Sequence, residues 1–256
     1  MIRHAFLSTL FLSILSSFVF AEDKTPAAPA PAAFTSPGIE ALTGKDSPLK
    51  EGDRIAFLGD SITQGGARKN GYLWLIEQAI NEKLAGKKIE IIKAGISGHK
   101  VPDLQKRLEK DVTSKKPSIV FIYIGINDVW HWNKDRGTKK EDFEAGLNDI
   151  IKRIKDAGGL VVLATPSVIG EKHDGSNTMD AMLDEYAAIS RKVAKEQGLV
   201  LCDLRKEFID ALKEQNKENK EKGILTGDTV HLNAAGNKLV ADRCAASLAE
   251  ALKARK

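Results

Sequence analysis

The sequence predicts an α/β fold: a parallel β-sheet with helices on both faces, in a three-layer α/β/α sandwich. Three observations predict it. Five short runs are almost continuously apolar, as strands buried on both faces require. The stretches between them carry helical patterns long enough for crossover connections. The chemically distinctive residues follow the carboxyl ends of the runs, where ligands bind in such sheets.

Before the first run come two segments of another character. Arg3 and His4 precede an apolar stretch over residues 5–20, and Val19-Phe20-Ala21 supplies small residues at the positions a signal peptidase reads. Residues 1–21 therefore read as a signal peptide, with an uncleaved anchor as the alternative. Residues 22–37 include Thr25-Pro26-Ala27-Ala28-Pro29-Ala30-Pro31. Alternating Pro and Ala builds no core, so this stretch reads as a disordered tether. Residues 38–256 remain for one domain with a sizeable core.

The runs in order are Ile55-Ala56-Phe57-Leu58, Ile89-Glu90-Ile91-Ile92, Ile119-Val120-Phe121-Ile122-Tyr123-Ile124, Leu160-Val161-Val162-Leu163 and Leu199-Val200-Leu201-Cys202. Between the third and fourth lies the clearest helix. Thr138 and Glu141 have the spacing of a capping box. Phe143, Leu147, Ile150, Ile151 and Ile154 then recur on one face, and Gly158-Gly159 ends the helix. The Lys/Glu/Asn-rich run over 213–222 reads as the solvated part of a helix or the loop after it.

Composition excludes several classes. The chain is 42% hydrophobic and 29% charged, as for an ordinary globular protein. Its net charge of +4 comes from scattered lysines. No basic block interleaves with aromatics, so nucleic-acid binding is not implied; the charge supports at most weak attraction to anionic surfaces or polysaccharides. Neither G-x-x-x-x-G-K-[ST] nor G-x-G-x-x-G occurs, and His99 and His173 have no partner at metal-ligand spacing. No cofactor or metal is expected. Cys202 lies in an apolar strand and Cys244 in the last helix, surroundings that favour two buried free thiols over a disulfide.

The residues that carry chemistry are few. Asp228-Thr229-Val230-His231 places a carboxylate and an imidazole on one short loop, and Ser61 follows the first strand. A serine hydroxyl needs an imidazole to take its proton and a carboxylate to orient that imidazole. The order Ser, Asp, His is that of the α/β-hydrolases, yet Gly59-Asp60-Ser61-Ile62-Thr63 lacks the second glycine of G-x-S-x-G. A different scaffold is indicated.

Four separated blocks resemble those of the SGNH (GDSL-type) hydrolases: Gly59-Asp60-Ser61-Ile62, Ile96-Ser97-Gly98, Gly125-Ile126-Asn127-Asp128 and Asp228-Thr229-Val230-His231. The resemblance spans about residues 54–252. Isoleucine at 62 replaces the usual leucine, and Lys93 stands where many members carry asparagine. The resemblance implies a five-stranded, flavodoxin-like sheet of order 2-1-3-4-5. It implies a catalytic triad of Ser61, Asp228 and His231. It also implies an oxyanion hole made by the backbone N–H of Ser61 and Gly98 and the side-chain amide of Asn127. Asp60 and Asp128 are expected to brace loops through backbone hydrogen bonds.

Trp130 and Trp132 follow the third block directly and are candidates for substrate binding by stacking; the alternative is packing over the sheet edge. The expected function is that of an exported serine esterase acting on small acyl esters, including O-acetyl groups on carbohydrate. A lysophospholipase or thioesterase activity, or a non-catalytic glycan-binding module on the same fold, are the alternatives. A small-molecule or carbohydrate ester is the expected partner, with no nucleic acid and no stable membrane insertion.

Overall fold

The computed structural model describes residues 33–255. The signal-peptide reading of residues 1–21 and the tether reading of 22–32 lie outside them. The rest of the stretch read as a tether departs from that reading. Phe34 packs against the core, and Ala33 N–H donates to the Glu82 carboxylate at 3.0 Å. Ser36 caps α1 (Pro37–Thr43) by accepting from Ile39 N–H at 3.2 Å, with Pro37 at the first helical position. An apolar ring and a helix start tie this end of the Pro/Ala stretch to the domain.

In chain order, β1 (Arg54–Gly59) leads into α2 (Ser61–Gly66) and α3 (Tyr72–Leu84), and β2 (Glu90–Gly95) into α4 (Val101–Asp111). β3 (Ile119–Tyr123) leads into α5 (Ile126–Trp130) and α6 (Lys140–Asp156), and β4 (Leu160–Ala164) into α7 (Asp180–Glu196). β5 (Val200–Cys202), α8 (Leu204–Gln215) and α9 (Ala234–Lys253) complete the domain. The sheet is parallel throughout and ordered β2-β1-β3-β4-β5, as expected.

Burial follows position in the sheet. Every residue of β3 is buried, whereas β2, at one edge, alternates and carries the charged Glu90 and Lys93. Charged side chains on an edge strand discourage pairing with another chain. α9 packs against α1 and α3, while α4, α6 and α7 form a second group. Cys202 and Cys244 are free and buried between sheet and α9. Burial pushes the Cys202 thiol up to about 12 and that of Cys244 well above the ordinary value, so both are poor nucleophiles.

The apolar face of α6 is the one its periodicity predicts: Phe143, Leu147, Ile150, Ile151 and Ile154 are all fully buried. Its start is not. The N-cap is Lys139 rather than Thr138, and no capping box forms. Thr138 is held by tertiary contacts instead: its N–H donates to Asp128 O at 3.0 Å, and its carbonyl accepts from the Tyr186 hydroxyl.

Register sets the level of the rim that carries Ser61. Gly59 pairs with both Gly95 and Tyr123, Tyr123 with Ala164, and Ala164 with Cys202. The carboxyl ends of the strands are therefore level, and the loops after β1, β2 and β3 leave the sheet side by side. α2 lies so close over β2 that a Cβ at Gly95 would sit 2.3 Å from Gln64 N. Only glycine permits that approach.

Candidate active site

β1 ends at Gly59, and Asp60 caps α2 by accepting from Ile62 N–H at 2.9 Å. Ser61 is thus the first helical residue, and the N–H groups of a helix's first turn have no intrahelical acceptor. Its hydroxyl lies 2.8 Å from His231 Nε2.

The loop that brings His231 there is closed by an antiparallel bridge between Thr226 and Leu232 and by Gly227 N–H donating to His231 O at 2.8 Å. One carboxylate organises its tip. Asp228 Oδ1 accepts from Val230 N–H at 3.1 Å and His231 N–H at 2.8 Å, while Oδ2 lies 2.7 Å from His231 Nδ1. Burial alone would raise the Asp228 carboxyl. The His231 backbone and ring and the Val230 N–H outweigh it and hold the carboxyl below its usual value. Asn233 then caps α9 through Ala235 and Gly236 N–H.

The turn is under strain. Thr229 has φ +90°, a conformation that a β-branched residue rarely adopts. It persists because the neighbouring segment over-determines it. Gly170 N–H donates to Thr229 O at 2.8 Å. Glu171, fully buried, accepts from Ile224, Leu225 and Thr226 N–H at 2.8, 2.7 and 2.5 Å and from the Thr226 hydroxyl at 2.8 Å. The segment after β4 thereby fixes the chain that enters the Asp228/His231 loop. Glu171→Ala leaves those buried donors without an acceptor, at about 1–3 kcal/mol each if none is rehydrated. A lowered melting temperature and a fall in kcat/KM of roughly tenfold or more are expected, with Glu171→Gln recovering part of both. Unchanged kcat/KM in folded Glu171→Ala would show that the loop keeps its shape without this carboxylate.

Across Ser61 lie the loop after β2 and the start of α5. Gly98 has φ +76°, and a Cβ there would meet nothing within 4 Å, so the backbone conformation rather than crowding calls for glycine. Asn127 is buried, and its Nδ2 donates to His99 O at 3.0 Å. That bond fixes the amide and leaves its second N–H free to serve another acceptor. Asp128 Oδ1 accepts from Val101 N–H at 3.1 Å, and Ser97 N–H donates to Gln64 Oε1 at 3.1 Å. Arg107 ties the loop to β1, donating from Nε to His99 Nδ1 at 3.0 Å and from Nη2 to Gly59 O at 2.8 Å. Burial, and after it the Arg107 charge, depress the His99 imidazole, which keeps Nδ1 free to accept. Lys93 takes no part and pairs with Glu77 at 2.7 Å.

Two carboxyls lie buried beneath this rim. Burial raises Asp60 to about 7, with the Asp128 charge adding to it, and burial raises Asp128 to about 6. A carboxyl whose folded-state pKa is raised binds its proton more tightly folded than unfolded. Its contribution is complete below the unfolded value and is lost as pH rises through the folded one. For Asp60 that window runs from about 4 to about 7. Asp60→Asn keeps an acceptor for Ile62 N–H and removes the titration, so its thermal stability declines less than wild type from pH 4 to 8. Parallel curves would show that Asp60 is ionised at no cost.

The structure thus brings Ser61, His231 and Asp228 into one hydrogen-bonded chain, with Gly98 on the loop after β2 and Asn127 at the start of α5. The tryptophans stand apart. A cavity of about 500 Å³ opens beside Ser61 and His231, and neither Trp130 nor Trp132 lines it. Trp130 packs against the core, and Trp132 Nε1 donates to the Tyr186 hydroxyl at 3.3 Å.

Residues 57–239 match the model of the GDSL-like lipase/acylhydrolase family. The chain belongs to that family. It is a carboxylic ester hydrolase of the SGNH type. An acetylxylan esterase from Geobacillus stearothermophilus is 31% identical over 213 residues, covering 75% of this chain and 92% of that protein. The uncharacterized lipoprotein YqeF of Bacillus subtilis is 26% identical over 73% of this chain and 86% of its own. Among solved structures, the acetyl xylan esterase AlAXEase is 43% identical with a TM-score of 0.73, covering 75% of this chain and 97% of that one.

Within this family frame, the residues that sequence reasoning missed are those that hold the motifs. Glu171 and Arg107 carry no motif, and the Leu225 N–H and Gly59 carbonyl they bind lie about fifty residues away. No local pattern marks them.

Proposed function

We propose that this chain is an exported serine esterase that removes small acyl groups, acetyl foremost, from carbohydrate. The observation that carries the reading is the chain of hydrogen bonds from Asp228 Oδ2 through the His231 ring to Ser61 Oγ, at 2.7 and 2.8 Å. In this reading His231 Nε2 removes the Ser61 proton as Oγ attacks the ester carbonyl. Asp228 holds the tautomer and stabilises the imidazolium that forms. The tetrahedral intermediate places its charge among the Ser61 and Gly98 N–H groups and the free N–H of Asn127. His231 returns the proton to the departing alcohol, leaving acyl-Ser61. Water then attacks that ester with His231 again as base, releasing the acid and restoring Ser61.

Gln64, Asn70, Asn233 and Asn237 line the cavity beside the serine with hydrogen-bonding groups suited to sugar hydroxyls, next to apolar surface from Ile62, Leu232 and Ala234. The acetylxylan esterases among the relatives support acetyl and sugar as acyl and alcohol portions. The N-terminal segment with its signal-peptide pattern, and a relative described as a lipoprotein, support export. The test is a series of p-nitrophenyl esters from acetate to palmitate, alongside acetylated xylan. Acetate turned over fastest, with acetic acid released from the polymer, is the expected result. A preference for palmitate, or no release from any acetylated polysaccharide, would overturn the reading.

A further inference from the structure

The cavity beside Ser61 has a side and a charge, and together they specify more than an acetylated sugar. His231 forms part of its wall, with Asn233 and Asn237 of the α9 start; of the three proposed oxyanion donors only Ser61, which both sides share, lines it, and Gly98 and Asn127 do not. The imidazole that protonates the departing oxygen must face the alcohol, and the oxyanion donors must face the carbonyl. The cavity therefore lies on the alcohol side of the ester.

Its opposite wall is the connection between α2 and α3, which carries Arg68 and Lys69, both exposed. The backbone of that connection is fixed. Arg68 N–H donates to Gly65 O at 3.0 Å, Gly71 N–H to Arg68 O at 2.8 Å, and Tyr72 N–H to Asn237 Oδ1 at 2.8 Å. Neither cation forms an ion pair with a described residue, although nearby Lys83 and Lys93 pair with Glu40 and Glu77. No Asp or Glu lines the cavity. Two cations without an ion-pair partner on a fixed loop thus face the position of the alcohol, with no carboxylate among the described residues to neutralise them.

We infer that the alcohol portion is anionic: an acetylated oligosaccharide carrying a uronic acid, whose carboxylate is received by Arg68 and Lys69. The inference rests on the carbohydrate-esterase reading and names its substrate class more narrowly. Guanidinium suits a carboxylate because its planar N–H fork donates to both oxygens, while lysine adds a point charge. Both side chains are exposed, so each contact is worth little alone and is screened by salt. Together they give a preference of about three- to tenfold in kcat/KM at low ionic strength.

The experiment compares acetate release from two acetylated xylooligosaccharides of equal length, one neutral and one with a glucuronic acid branch. The readout is the ratio of kcat/KM values, acidic over neutral, which is independent of the active fraction of any preparation. Wild type should give a ratio of about three or more in 20 mM salt, falling toward one in 500 mM. The double variant Arg68→Gln/Lys69→Gln should bring the low-salt ratio to about one, and Arg68→Glu/Lys69→Glu below one. A wild-type ratio of one at low salt, or a wild-type ratio retained by the double variant, overturns the inference and leaves the carbohydrate reading standing. Release from neither sugar while p-nitrophenyl acetate is still hydrolysed overturns the carbohydrate reading and this inference with it.

Discussion

Ser61→Ala should remove ester hydrolysis while leaving the fold, with kcat lowered by roughly 10⁴- to 10⁶-fold. In the proposed mechanism the hydroxyl forms the acyl bond, and no other serine among the described residues lies in hydrogen-bond contact with His231. Its loss creates no buried vacancy of consequence. Ser61 is half-buried on the wall of a 500 Å³ cavity, and water entering that cavity can satisfy His231 Nε2. The N-cap bond from Ile62 N–H to Asp60 does not involve the Ser61 side chain, so α2 remains. Residual rate above water is expected from the oxyanion donors alone. Two measurements check this: p-nitrophenyl acetate turnover beside a thermal melt, and covalent labelling by a fluorophosphonate located by mass spectrometry. The label should fall on Ser61 in the wild type and be absent from the variant. Wild-type-like turnover by the folded variant would sink the mechanism.

The parts of this architecture that sequence made legible are those whose cause is local. β1 and β3 announce themselves because burial on both faces demands unbroken apolarity, and α6 because one helical stripe faces the core. The four motif blocks were readable for the same reason: each is a short loop whose chemistry resides in adjacent residues. Where a contact partner is distant in sequence, local pattern fails. Thr138 and Glu141 have capping-box spacing, yet Asp128 and Tyr186 claim the Thr138 backbone and the helix starts from Lys139. Trp130 and Trp132 read as pocket residues from their place after Asn127; neither lines the cavity beside Ser61, and Trp132, in the turn after α5, donates to the Tyr186 hydroxyl. Glu171 sits in no motif, yet it is fully buried and holds the approach to the Asp228/His231 loop. A side chain that supports another leaves no trace in spacing, because its partner is chosen by the fold.

Asn127→Ala should lower kcat by about 10²-fold with a smaller change in KM. The argument starts from the two N–H groups of the side-chain amide. One is committed to His99 O at 3.0 Å, which holds the amide between substrates, and in the proposed mechanism the second N–H remains available when an oxyanion forms. A donor held in place costs no reorganisation in the transition state. It gains most when the carbonyl oxygen acquires full charge, which is why the loss appears in kcat. The substitution also frees His99 O, and the loop around Gly98 must then rely on Arg107, Gln64 and Asp128. Asn127→Asp separates the two effects. It keeps the size of the side chain but presents an acceptor where a donor is needed, so it should lose at least as much rate as alanine. Steady-state kinetics with p-nitrophenyl acetate, at matched folded fraction, decides the point. A loss confined to KM would make Asn127 a ground-state substrate contact, and activity retained in Asn127→Asp would remove the amide from the oxyanion hole.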